Sequence, residues 1–188
     1  MPQAIYCFLI SNSFEDCLRK YLSIGGDADT IAAIAFSISE AFYDIPENIQ
    51  IQALSYLPSK YKLVVDKFYS ILSLKKQLLE LGICHDEFWE YMRTHTKRIS
   101  FPSETGICGT FTEIDENNRL SSVKILVPEI SDEKTLLINI HEYAHAYELY
   151  NELGSCYKID KEHSEAFAVS KEQEYLAKKN LWAIINLL

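Results

Sequence analysis

The segment His141-Glu142-Tyr143-Ala144-His145 carries the residue types with the clearest chemical potential in this chain. Residues four apart lie on one face of a helix, so both imidazoles can bind the same ion. Zinc lowers the pKa of a bound water to about 7, and Glu142 stands beside the histidines, where it can accept that water's proton. The spacing predicts a zinc site with His141 and His145 as metal ligands and Glu142 as the catalytic general base.

A catalytic zinc site needs a third protein ligand and an open fourth position. Glu162 and Glu165 follow on the next expected helix. We favour Glu165 as the zinc ligand, because its small or apolar neighbours at 166–168 indicate an inward-facing side. Glu162, one turn earlier, is the alternative. A second alternative is that the two histidines are ordinary polar residues of an amphipathic helix.

A second group of candidate ligands lies in Gly25-Gly26-Asp27-Ala28-Asp29-Thr30. Asp27, Asp29 and Thr30 offer hard oxygen ligands, which suit Mg²⁺ or Mn²⁺. The same residues are also typical of a helix N-terminus, where capping would be their whole role. The residues alone leave both interpretations open.

The elements expected in residues 1–75 are all helical. Apolar residues at helical spacing predict a helix through residues 14–22, and Ser13 provides its cap. The next helix, about 30–42, is apolar nearly all round, which predicts burial on every side. A third helix lies between Pro46 and Pro58, and Ser59 opens a long amphipathic stretch.

The second part, residues 76–188, mixes helices with strands. A short helix is expected at about 87–95, and strands at 107–114 and 123–127 flank the turn residues 115–118, which predicts a hairpin. Ser131 or Asp132 caps a long helix that ends at Gly154, and another helix runs over about 161–179. The predicted fold class is α+β and predominantly helical, with a small antiparallel sheet in the second part.

Composition limits the function classes. The chain has 188 residues with 18 basic and 27 acidic side chains, a formal net charge of −9, which argues against a nucleic-acid partner. No run of about 18 apolar residues is present, so we expect no membrane span. Five cysteines are dispersed without a C-x-x-C pair and without an export signal, which favours a cytoplasmic location.

The first part resembles a known family over a long stretch. The run from Pro2 through Ser13-Phe14-Glu15-Asp16 to Gly25-Gly26-Asp27-Ala28-Asp29-Thr30, with its continuation to about Leu72, is similar to the C-terminal portion of ADP-ribosylglycohydrolases. That resemblance implies an all-helical module at residues 1–75 with Asp27, Asp29 and Thr30 as ligands of a Mg²⁺ or Mn²⁺ half-site. The family's other ligands come from an upstream Thr-Asp-Asp segment that these 188 residues lack, so the module is expected to be incomplete.

The second part resembles the compact gluzincin type of zinc metallopeptidase. The stretch 136–146 and the segment Glu165-Ala166-Phe167-Ala168 carry the likeness. It implies a zincin-like domain at residues 76–188, with Glu142 as base and His141, His145 and Glu165 as zinc ligands. No oxyanion-stabilising residue is evident, and Tyr143, Tyr147 and Tyr157 are candidates by type alone.

Three functional hypotheses follow. The leading one is a zinc-dependent hydrolase of peptides or proteins, fused behind the partial helical module. The alternatives are a truncated or split ADP-ribosylglycohydrolase and a non-catalytic binding protein. In the last case, a partner chain would cover apolar surface at the residues Ile31, Ile34, Phe36 and Ile38.

Overall fold

The computed structural model describes residues 2–24, 28–100, 107–156 and 160–185. For residues 2, 28, 29 and 181–185 it describes the backbone alone. The chain divides into two compact units, Met1–Leu63 (unit 1) and Val64–Leu188 (unit 2). The sequence-based boundary at about residue 75 and the division at residue 63 both lie within one helix, Ser59–Glu80. The class is α+β, mostly helical, with one small sheet.

The described residues of unit 1 form four helices and the start of a fifth. They are α1 (Pro2–Leu9), α2 (Phe14–Ile24), α3 (Ala28–Tyr43), α4 (Glu47–Ser55) and the first residues of α5 (Ser59–Glu80). The first three pack around a small buried cluster whose largest member, Tyr21, meets the ring of Phe36 edge-on at 5.6 Å. The helical character predicted for this part is confirmed for the described residues.

The prediction that α3 is buried on every side is wrong. Among its described side chains only Ala35 and Ser39 are buried. We expected four apolar side chains of α3 to form an exposed surface that a partner covers, but all four are half-buried: Ile31, Ile34, Phe36 and Ile38. The side chains of Ile31, Ile34 and Phe36 pack against the buried cluster of unit 1. Helices α1 and α2 pack against α3. Two short helices cannot cover every side of a third, so the apolar pattern of α3 exceeds what this unit buries.

Unit 2 is built around a three-stranded sheet. Its elements are the rest of α5, α6 (Asp86–His95), β1 (Thr96–Ile99), β2 (Gly109–Ile114), β3 (Leu120–Pro128), α7 (Glu133–Asn151) and α8 (Lys161–Ile185). The strand order is β1-β3-β2. In the long central strand Val123, Ile125 and Val127 are buried at alternate positions, as their spacing predicted.

The sheet is mixed, so the prediction of an antiparallel sheet is wrong in part. Strands β2 and β3 form the predicted antiparallel hairpin, and the Asp115 carboxylate accepts from the backbone amides of Asn117 and Arg119 in its turn. Strand β1 pairs with β3 in parallel and was not predicted. It follows α6 without an intervening turn and has four residues, too few for an alternating pattern to be visible.

Helix α7 begins and ends on residues that the sequence marks. Asp132 caps it, because its carboxylate accepts from the amide of Thr135 at 2.8 Å while the Thr135 hydroxyl accepts from the amide of Asp132 at 3.0 Å. After the helix Gly154 adopts φ 83°, a conformation that favours glycine, and its amide donates to the carbonyl of Leu120 at 2.8 Å. The two ends of α7 are thereby fixed close to the sheet.

Asn139 fixes the middle of α7 against the sheet. Its side chain is fully buried, its amide donates to the carbonyls of Pro128 (3.0 Å) and Thr135 (2.8 Å), and its oxygen accepts from Arg98 at 2.6 Å. Buried polar groups stabilise a fold only when their hydrogen bonds are made, and these are. None of the helices in the described ranges combines the length and apolar character needed to cross a membrane.

We predict that Asn139→Ala lowers the free energy of unfolding of the protein by about 1–3 kcal/mol, because the Pro128 carbonyl and the Arg98 guanidinium lose a buried partner. Urea unfolding followed by circular dichroism measures the change. Asn151→Ala is the matched control, since Asn151 is exposed at the end of the same helix, and it should change the free energy by no more than about 0.5 kcal/mol. Equal effects of the two variants would contradict the role assigned to Asn139.

Candidate metal centre

Helices α7 and α8 pack side by side and run antiparallel. The Lys179 ammonium, late in α8, contacts Glu133 at the start of α7 at 2.6 Å, and Ser164, early in α8, donates to Glu148 near the end of α7. His141 and His145 lie on the face of α7 that α8 covers, and their side chains are 19% and 16% exposed. Half-burial leaves one side of the imidazole pair open to solvent. The site is therefore held by helix packing while staying accessible.

Three donor groups converge between the helices. The Nε2 atoms of His141 and His145 are 3.0 Å apart, and the Glu165 carboxylate lies 3.6 Å from the first and 3.4 Å from the second. One donor atom from each residue can be chosen so that all three lie within 4.8 Å of one another. Ligands at 2.0–2.1 Å from a tetrahedral ion stand roughly 3.4 Å apart, so the spacing suits a single zinc-sized ion.

The outer nitrogens of both imidazoles face hydrogen-bond acceptors. His141 Nδ1 lies 2.9 Å from the Glu172 carboxylate. His145 Nδ1 lies 2.8 Å from the Ser164 hydroxyl, which itself donates to the Glu148 carboxylate at 2.9 Å. An ionised carboxylate only accepts, so Ser164 donates to Glu148, and from these partners we assign the proton of each imidazole to Nδ1.

That arrangement leaves both Nε2 lone pairs facing each other and the Glu165 carboxylate. Three electron-rich groups this close repel one another, and a cation between them would remove that repulsion. Carboxylates behind ligating histidines are the usual way in which proteins orient such ligands and raise their basicity. The donor set of two imidazoles and one carboxylate, with this support, fits a zinc ion.

Glu142 lies beside the pair and is held by strand β2. The Thr110 hydroxyl is 2.9 Å from its Oε2 atom and 3.2 Å from its backbone carbonyl. Burial, and then the negative charge of Glu142, raise the pKa of the neighbouring Cys108 thiol, which therefore stays neutral. Glu142, the two histidines, Thr110 and Glu165 line an open cavity of about 330 Å³.

The structure brings together the four residues predicted for the zinc site: His141, Glu142, His145 and Glu165. The alternative ligand Glu162 is exposed and is absent from the converging group of described donors. Our reason for favouring Glu165 was nevertheless wrong, because its side chain is 62% exposed. It reaches the imidazoles from the rim of the helix pair, not from the core.

Of the three tyrosines considered for oxyanion stabilisation, the two that the structure describes do not line the cavity beside the histidines. Tyr143 is buried toward the sheet, where its hydroxyl lies 3.2 Å from that of Thr96. Tyr147 packs against the rings of Phe88 and His85. Tyr157 lies outside the described residues.

The residues that support the histidines were missed from the sequence. Glu148 lies seven residues after His141 on α7, and Glu172 lies seven residues after Glu165 on α8. Seven residues are two helical turns, so each pair shares a face, and this spacing was an available signal. Which acid on α8 would meet which histidine depends on the offset between the two helices, which the sequence does not contain.

The second group of predicted ligands is described only in part. Asp27 lies outside the described residues, and the side chain of Asp29 is likewise outside them. Thr30 is exposed in the first turn of α3. The Mg²⁺ or Mn²⁺ half-site therefore stays a prediction.

Comparison of the chain with protein-family models, with curated proteins and with solved structures finds no match in any of the three. The resemblances to ADP-ribosylglycohydrolases and to gluzincins consequently stay expectations from the sequence.

We predict that Glu172→Gln weakens zinc binding about 10–100-fold, because the amide no longer provides a negative acceptor for His141 Nδ1–H. A competition titration with a chromophoric chelator measures the affinity. The matched control is Glu174→Gln on the same helix, where the carboxylate pairs with Lys171 and Lys178, and it should leave the affinity unchanged. An unchanged affinity in the Glu172 variant would contradict its proposed part in orienting His141.

We further expect the same titration to distinguish the two candidates for the third zinc ligand. Glu165→Gln should lower zinc affinity by at least about tenfold, because the only carboxylate of the converging group among the described residues is lost. Glu162→Gln changes an exposed acid three residues away and should have no effect. The reverse outcome would assign the third ligand to Glu162.

Proposed function

We propose that unit 2 is a zinc-dependent hydrolase that cleaves peptide bonds with the help of Glu142. The observation that carries this proposal is the convergence of two imidazole lone pairs and a carboxylate beside a second, separately held carboxylate. Structural zinc sites are closed by four protein ligands, whereas a catalytic site has three and an open position. Three ligands and an accessible cavity favour catalysis.

Zinc is the metal that this donor set suits best. Imidazole ligands favour zinc, copper, iron or nickel over magnesium and calcium, which prefer oxygen ligands. A site of two histidines and one glutamate is a common catalytic zinc site, and zinc needs no redox partner. When bound there, zinc would supply Lewis-acid polarisation of a water molecule, whose pKa falls to about 7.

The chain's own residues divide the remaining tasks. Glu142 is placed to accept the proton of the attacking water and to return it to the leaving amine. Thr110 holds the Glu142 carboxylate through its hydroxyl, so the base does not turn toward the neighbouring imidazoles. Glu172, and Glu148 through Ser164, keep the Nε2 atoms directed inward.

A peptide substrate is supported by the strand beside the site. Strand β2 pairs with β3 on one side only within the described sheet, and Gly109 and Thr110 at its start line the cavity. An extended peptide can add to such an edge through main-chain hydrogen bonds, which bind any sequence. A substrate paired with β2 would pass Thr110 and so approach Glu142.

We predict that Glu142→Gln lowers peptide hydrolysis by roughly 10²–10⁴-fold while zinc content stays stoichiometric, because the amide cannot take a proton but can still accept from Thr110. Hydrolysis is measured with a quenched fluorescent peptide mixture, and zinc by elemental analysis. Glu152→Gln, an exposed acid at the end of the same helix, is the matched control and should retain full activity.

His141→Ala tests whether hydrolysis depends on the metal ligands. This variant should lose both zinc and hydrolysis, since one of two imidazole ligands is gone. A folded wild-type protein without stoichiometric zinc after growth with added metal would contradict the metal site. Stoichiometric zinc without any hydrolysis would retain the metal site and contradict the proposed reaction.

A further inference from the structure

A second cavity lies on the side of α7 that faces away from the histidines. It has a volume of about 330 Å³ and is lined by residues of α5, α6, β1 and α7: Ile71, Trp89, Arg93, Thr96, Arg98 and Tyr143. Tyr143 stands two residues from each histidine, which places it about 200° around the helix from both. The cavity is therefore distinct from the candidate metal centre.

Arg98 is the unusual feature of this cavity. Its side chain is half-buried, one guanidinium nitrogen donates to Asn139 at 2.6 Å, and the guanidinium also interacts with Tyr143. Burial lowers the pKa of Arg98, and the Tyr143 hydroxyl opposes that effect. A guanidinium carries five N–H donors, and these two neutral partners among the described residues use fewer than half of them.

Charge compensation for Arg98 is weak in the described part of the chain. The carboxylate that influences it electrostatically, Glu129, forms its own ion pair with Lys67 at 2.8 Å. None of the described carboxylates forms an ion pair with Arg98. A partly buried charge without an opposite charge costs free energy, and an anion in the cavity would remove that cost.

A second arginine and an aromatic wall complete the cavity. Arg93 lies at its rim, 70% exposed, with Glu90 at 3.4 Å from its Nε atom. Trp89 and Tyr143 are stacked, with ring planes 24° apart and centroids 6.0 Å apart. The Lys75 ammonium also lies over the indole, 5.8 Å from its centroid, so a flat apolar group would contact the remaining surface of the aromatic pair. Arginine forks bind carboxylate and phosphate oxygens in pairs.

We propose that this cavity is a binding site for a small organic anion, one that joins a planar apolar group to a carboxylate or a phosphate ester. The anion pairs with Arg98 in the interior and with Arg93 at the rim, and the planar group lies against Trp89. The volume is within the range of small-molecule sites, which begins at about 300 Å³. This site does not depend on the proposed hydrolase activity.

Isothermal titration with benzoate and with phenyl phosphate tests the proposal, with benzamide as the neutral counterpart of benzoate. We expect saturable binding of at least one anion, and the tighter of the two identifies the acidic group. Benzamide should bind at least about tenfold more weakly, because it lacks the charge that Arg98 compensates. Failure of both anions to bind at millimolar concentrations, or equal binding of benzamide, would overturn the proposal.

The variants assign the binding to Arg98. Arg98→Gln should weaken the anion by about tenfold or more, whereas Lys97→Gln is the matched control. Lys97 is the exposed neighbour on the opposite face of the same strand, and its loss should leave the affinity within about twofold. If the glutamine variant does not fold, Arg98→Lys retains the charge but loses the fork, and an unchanged affinity in that variant would contradict the site.

A carboxylate can also bind zinc, so the titrations are repeated in the His141→Ala background. The affinity should be unchanged there, because Arg98 lies on the other side of α7. Loss of binding in that background would place the anion at the metal centre and overturn the proposal.

Discussion

Two imidazole nitrogens held 3.0 Å apart, with their lone pairs assigned toward each other, form the constraint on which the candidate metal centre depends. Helix packing creates it, since α8 brings Glu172, Ser164 and Glu165 against the histidine face of α7. Without a cation the lone pairs repel one another, whereas a cation bound to them would link α7 and α8 through its ligands. A metal that binds between α7 and α8 in the folded state would therefore stabilise their packing by mass action.

Helix α7 serves two networks on opposite faces. Asn139 and Tyr143 face the sheet and bond to its first strand through Arg98 and Thr96. His141 and His145 face α8. A helix fixed this firmly on one side can hold its other side in a defined geometry, because side chains pack against a backbone that does not move. The buried polar contacts of the sheet side thus serve the geometry of the site, although they do not touch it.

Most of the helices and strands, and about half of the site residues, could be predicted from the sequence, and the physical reasons differ between the two. Long helices and the hairpin have periodic patterns and local caps, so residues such as Asp132 and Gly154 mark their ends without any tertiary information. Strand β1 has no such pattern, because its position is decided by pairing with β3 and not by its own four residues. The histidine spacing is local to one helix and was visible, whereas Glu172 belongs to the site only through the offset of two helices. The burial of α3 was overestimated, because an apolar pattern reports what a helix could bury and not what its neighbours can cover.

The exposure of Glu165 has a kinetic consequence. A carboxylate that is 62% exposed can rotate away from the imidazoles by a side-chain motion, while the packing of α7 and α8 stays intact. Exchange of a bound ion would then proceed through a two-histidine intermediate on the open side of the site, without local unfolding. Metal occupancy would then follow the supply of free ion in the surroundings, and a chelator would remove the ion from the native state.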